Sequence, residues 1–148
     1  MHSFGEIVSN HVLGATFFSC VLAQFLKILF HWIQYKEFDW TRCIGSGGMP
    51  SSHSASVCTL ATCIGIQDGF GSILFALAAV FAIIVMYDAA GVRKAAGEQA
   101  KIIKRIIKKF EQQEFHIDQE LNEFIGHTKP EVVIGALLGI LLGILFSL

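Results

Sequence analysis

Apolar residues fall in long blocks along this chain, and polar residues gather in the intervals between them. Val12 to Ile33 is the first block, about the length that crosses a bilayer. Ser9 or Asn10 stands where a helix cap belongs. Gln24, Lys27 and His31 interrupt the block at spacings of three and four, so they share one helical face. Polar groups inside a span face a bundle interior or a water-filled site; Lys27 is also near enough to the end of the block to snorkel. Ser52 to Ile66 is a second block, short for a span. Counted from Pro50, its helix would begin within the membrane thickness. Irregular backbone at that depth is tolerated only where it is buried or lines a cavity, so Gly45 to Pro50 is expected to dip into the bundle. Gln67-Asp68-Gly69 reads as a tight turn, and Gly71 to Tyr87 as the next span. Glu131 to Leu148 is the last. Its Gly135, Gly139 and Gly143 form a ridge at i, i+4, i+8 that favours close helix contact, within the chain or between copies.

The strongly polar region is Arg93 to Lys129. Between Lys101 and Lys109, isoleucines and cations alternate at helical spacing. That predicts a basic amphipathic helix, suited to an anionic membrane surface or to one arm of a hairpin covering the bundle. Glu111 to Glu123, with Phe115, Leu121 and Phe124, would be a second short helix folding back. The fold expected is therefore an all-α, polytopic membrane helical bundle forming a single domain over residues 1–148. It has four transmembrane helices, with an amphipathic hairpin (residues 93–129) between the third and fourth.

Composition agrees with this. The chain has 148 residues, 53% hydrophobic and 16% charged, with a mean hydropathy of +0.59, too apolar for an ordinary soluble domain of this size. A net charge of −1 gives no reason to expect nucleic acid as a partner. Cys20, Cys43, Cys58 and Cys63 form no CxxC pair and read as small thiols, with neither a disulfide framework nor a zinc site expected. The N-terminus lacks a basic stretch, so no cleavable signal peptide is expected. Trp32, Tyr35 and Trp40 suit an interfacial belt, and the lysines and arginines of the long loop put its face on the cytoplasmic side, with both termini opposite.

Four spans would bring the loops after the first and third to one membrane face. Arg42, the Ser51-Ser52-His53 stretch, Asp88, Arg93, His127 and Glu131 all belong to that end. Gly47-Gly48-Met49-Pro50-Ser51-Ser52-His53 combines adaptable backbone, a proline suited to the first positions of a helix and two hydroxyls. The amides of a helix start favour an anion, and the histidine gives or takes a proton near neutral pH. An ordinary capped helix after a flexible loop uses the same residues. Taken with the other cations and carboxylates, the set suits phosphoryl transfer without a metal or cofactor. Cations and amides would hold the phosphoryl oxygens, one histidine would attack phosphorus and another would protonate the leaving oxygen.

Two segments carry a family resemblance. Pro50-Ser51-Ser52-His53 resembles the Pro-Ser-Gly-His motif of the type 2 phosphatidic acid phosphatase superfamily, which includes the vanadium haloperoxidases. His127-Thr128-Lys129-Pro130-Glu131 resembles its His-x-x-x-Asp segment. Ser46 to Ala55 and Asp88 to Gln99 are similar to its divergent, small bacterial and plastid branch, and the likeness runs from about Gln24 to the end. The resemblance implies a nucleophile at His127 oriented by Glu131, and an acid at His53. It implies phosphate contacts at Ser51, Ser52 and Arg93, with Lys27 or Lys36 and Arg42 standing in for the cations of the family's first motif. Asp88 and Glu98 would support them. That motif, Lys-x6-Arg-Pro, is not spelled here: Lys36 and Arg42 are one residue too close, and Cys43 follows. The substrate implied is a lipid or prenyl phosphate or pyrophosphate at a bilayer, in a homodimer. The alternative is a non-catalytic lipid-phosphate binding or transport protein that keeps the pocket.

Overall fold

The computed structural model describes residues 4–36, 47–111 and 126–148. These residues form six helices: α1 (Phe4–Val8), α2 (His11–Tyr35), α3 (Ser52–Asp68), α4 (Ile73–Ala90), α5 (Val92–Glu111) and α6 (Lys129–Ser147). No strand occurs among the described residues. Trp40, Arg42, Cys43, Gly45 and the second arm of the expected hairpin, with Phe115, Leu121 and Phe124, lie outside those residues, as do His2 and His116.

Local chemistry sets the ends of these helices. Asn10, not Ser9, caps α2, its side chain accepting from the Leu13 amide at 3.0 Å. Lys36 closes α2 in the left-handed region, φ 59°, with its amide on the Trp32 carbonyl. Ser51 caps α3, so that helix begins at Ser52 and Pro50 precedes the cap. The helix start expected at Pro50 moves because a side-chain acceptor satisfies an orphan amide and a proline does not. α3 runs through Asp68, and the turn falls instead at Gly69, whose φ of 89° suits glycine. Ser72 caps α4, which continues past Tyr87 to Ala90 and so takes Asp88 into its last turn.

α3 is the centre of the bundle. It packs against α2, α4 and α6, most extensively α6. Its buried residues are almost all small or hydroxylated, among them Ser54, Ala55, Cys58, Thr59, Ala61, Cys63 and Gly65. Lipid tails are as apolar as leucine, so helices in a bilayer are held by close packing and interhelical hydrogen bonds. Both occur here. The α6 ridge lies on α3 within the chain: a Cβ at Gly135 would meet Ser51, one at Gly139 the Ala55 carbonyl, and one at Gly143 the Thr62 side chain at 2.5 Å. The Thr59 hydroxyl lies 2.9 Å from the Ala55 carbonyl and 3.0 Å from that of Gly139, and the Cys63 thiol donates to the Gly143 carbonyl. Cys58 and Cys63 are buried free thiols.

The outer faces are apolar, with Ile73, Leu77 and Ile83 on α4 and Leu137, Leu141 and Leu145 on α6 exposed where lipid would be. Among the described residues three helical stretches are long and apolar enough to cross a membrane, over His11–Ile33, Ile73–Lys108 and Lys129–Ser147. α3, at 17 residues, is about 26 Å long, short of a hydrocarbon core of about 30 Å. The polytopic bundle is thus built of long apolar helices around a shorter central one. Past Gly91, α5 exposes Ile102, Ile103 and Ile106 among Lys101, Lys104, Arg105 and Lys108, while Gly97 and Ala100 are buried, giving the amphipathic helix expected of this stretch.

Candidate functional site

The N-termini of α3 and α6, the C-terminus of α4 and the upper part of α2 meet at one end of the bundle. Two backbone bonds fasten them. The Ser51 amide donates to the Glu131 carbonyl, and the His127 amide to the Ala89 carbonyl, each at 3.0 Å. A Cβ at Gly126 would strike the Lys94 backbone, so the chain re-enters the bundle directly beside the start of α5. The long insertion after Arg93 therefore leaves and returns at one place, and its two ends reach the same site.

His53 and His127 face each other there, their ring centroids 5.9 Å apart and their planes at 66°. His127 is 1% exposed. Its Nδ1 lies 3.3 Å from Glu131 Oε2, and the same oxygen accepts the Thr128 amide at 2.9 Å. One carboxylate therefore caps α6 and orients the imidazole, which is the work that the i, i+4 spacing suggested. With Nδ1–H donated to Glu131, the lone pair of His127 is on Nε2. That atom is buried and has no hydrogen-bond partner.

His53 Nε2 lies 3.4 Å from Arg93 Nη1, and Arg93 Nε donates to Asp88 Oδ2. A guanidinium has only donors, so His53 Nε2 is the acceptor and its hydrogen is on Nδ1, also buried and without a partner. Asp88 thus holds Arg93 against His53. Lys27 is 3% exposed, so the interior reading of this lysine prevails over snorkelling. Gly48, at φ 97°, lays its backbone beside the Lys27 stem, with the Lys27 Cγ and Cδ 3.9 Å from where a Cβ would stand. Lys27, Arg93, His127 and Asp88 all lie close enough to His53 for their charges to act on it.

Ser51 and Ser52 are buried. The Ser51 hydroxyl accepts from the Ser54 amide at 3.3 Å and from the Ser54 hydroxyl at 3.1 Å, which leaves its own hydrogen to donate. The amides of Ser52 and His53 open α3 and have no intrahelical acceptor. Not every expected residue joins this group. Lys36 is exposed at the end of α2, about 13 Å along the axis beyond Lys27. Glu98 is exposed on α5. Arg42 lies outside the described residues.

Sequence reasoning missed one contributor and left another without a role. The Ala89 carbonyl, which positions His127, is marked only by the Ala-Ala-Gly run after Asp88 and by Gly126 before the histidine, small residues where two backbones touch. Gln24 was read as one of three polar residues on a shared face. It lies one turn below Lys27, with its Oε1 buried and unpaired.

The divergent PAP2 family model matches residues 8–142, so this chain belongs to that family. It is also 37% identical to the uncharacterized membrane protein YuiD of Bacillus subtilis (strain 168), across 96% of this chain and 97% of that protein. No solved structure matches it. With that relative and its apolar helices, the chain is an integral membrane protein.

Proposed function

We propose that this protein hydrolyses a lipid or prenyl phosphate or pyrophosphate without a metal, through a phosphohistidine on His127. The observation that carries this reading is the facing pair of imidazoles, with His127 Nδ1 held by Glu131 and Nε2 unpartnered. The Nε2 lone pair attacks phosphorus. The N–P bond forms as the bond to the leaving oxygen breaks, and His53 gives that oxygen a proton. Water then attacks phosphorus, the N–P bond breaks and the water proton passes to His53.

For His53 to act as an acid it must carry two protons, so Arg93 must let go of its Nε2. A phosphate dianion supplies the reason: the guanidinium fork turns to its oxygens, and the anion favours an imidazolium beside it. Lys27, the Ser51 hydroxyl and the amides of Ser52 and His53 complete the cradle. Asp88 steadies Arg93, and Glu98 has no part that we assign. We place this face on the cytoplasmic side because the lysines and arginines of the flanking segments gather there. A homodimer draws no support from the glycine ridge, which is filled within the chain.

The enclosure of His127 favours one rival, a lipid-phosphate binding or transport protein that keeps the pocket without turnover. Purified protein in chelator, given a panel of lipid phosphates, separates the two. Phosphate release inhibited by vanadate supports hydrolysis; saturable binding without release supports the carrier. Within that assay Glu131→Gln is expected to keep the α6 cap, since its amide oxygen still accepts the Thr128 amide, and to retain a melting temperature near wild type. Losing the charge that stabilises the His127 imidazolium is expected to slow release by about 10²-fold. A Glu131→Gln rate equal to wild type would remove Glu131 from the mechanism.

A further inference from the structure

An apolar groove of about 520 Å³ lies along the N-terminal half of α2, lined by Val8 of α1, by Leu13, Gly14, Phe17 and Cys20 of α2 and by Ser56 of α3, among others. We propose that it is the binding site for the hydrocarbon tail of the phosphate ester, an inference that rests on the phosphate site described above.

Both walls lead there. On α3, Ser56 lies one turn below His53; on α2, Cys20 lies two turns below Lys27 and on the same face. The upper end of the groove therefore lies one turn below His53 and about 10 Å along α2 from Lys27. From Cys20 to Asn10, the cap of α2, it runs about 15 Å. That is about half of a ~30 Å hydrocarbon core, the depth of one lipid tail. Its lining is almost wholly apolar, and Phe17 is 71% exposed at its edge, so a tail enters sideways from the bilayer while its phosphate stays at the polar end. Its volume is that of a ligand pocket. The substrate class this specifies is a single-chain amphiphilic phosphate, recognised by an anionic head and one long tail.

Gly14 gives a direct test, because nothing lies within 4 Å of where its Cβ would stand. A side chain there extends into the groove without displacing a neighbour. The full chain in detergent is assayed with dodecyl phosphate and butyl phosphate, and its binding of the non-hydrolysable dodecyl- and butylphosphonates is measured alongside. Wild type is expected to prefer the dodecyl compounds in both. Gly14→Phe is expected to reduce that preference by about tenfold or more, since several methylenes lose their place. Gly71→Phe, at an equally open glycine in the turn before α4, is expected to keep the wild-type preference. Absence of release from both esters would overturn the phosphatase reading alone, because the phosphonate arm still reads the groove. An unchanged dodecyl-to-butyl binding ratio in folded Gly14→Phe would overturn the groove. Should that variant not fold, wild type is photolabelled with dodecylphosphonate bearing a terminal diazirine. Adducts between residues 7 and 20 support the site, and adducts confined to α4 or α6 overturn it.

Discussion

His127→Gln is expected to slow phosphate release by about 10⁴-fold or more, the largest loss that any single change at this site should cause. The imidazole sits at 1% exposure, so truncation to alanine would leave a hole at the junction of three helix ends. Glutamine fills most of that space and can donate to Glu131, yet offers no nucleophilic nitrogen. Melting temperature and release, measured together, keep loss of chemistry apart from loss of fold. His53→Gln is expected to cost about 10²–10⁴-fold with an alkyl phosphate. Its deficit should shrink with a p-nitrophenyl ester, whose leaving oxygen needs no proton. His127→Gln should be equally inactive with both esters, because both need the attacking nitrogen whatever their leaving group. A folded His127→Gln protein that releases phosphate within tenfold of wild type would exclude the phosphohistidine route.

The features of this site that could be read from the sequence are those fixed by short-range chemistry. Ser51-Ser52-His53 at a helix start and Glu131 one turn after His127 each imply their geometry through helix periodicity and capping alone, and each is found there. Choosing between Lys27 and Lys36 required knowing where α2 faces α3. The buried stripe Ala15, Ser19, Ala23, Lys27 decides it, since these four recur every fourth residue and carry the lysine inward. Lys36, past the last turn, has no such neighbours. The proline before the serines was the misleading signal. Proline favours a first turn, but a hydroxyl that accepts an orphan amide outranks it, and Ser51 became the cap. The groove had no sequence signature at all, because it arises between two helices whose relative height is set by tertiary packing.

The α6 ridge shows how far pattern reading goes and where it stops. Three glycines at i+4 intervals announced a close approach without naming the partner, and the partner has its own matching register: Ser51, Ala55, Thr59 and Thr62 on α3. Gly139→Ala tests that fit. A methyl group there falls on the Ala55 carbonyl and within 2.9 Å of the Cys58 Cβ, atoms that cannot yield without separating the helices. Overpacking of this kind costs about 1–3 kcal/mol, which outweighs the roughly 0.5–1 kcal/mol that alanine gains over glycine in a helix. Gly14→Ala, with open space around it, keeps only the gain. In detergent the two substitutions are therefore expected to move the melting temperature in opposite directions, Gly139→Ala down by several degrees and Gly14→Ala level or slightly up. Gly139→Val, with two further methyl groups at the same place, is expected to prevent the α3–α6 contact and with it the Ser51–Glu131 bond that joins the start of α3 to the start of α6. Equal melting temperatures for Gly139→Ala and Gly14→Ala would mean that α3 and α6 do not touch backbone to backbone, and the site built on their junction would lose its frame.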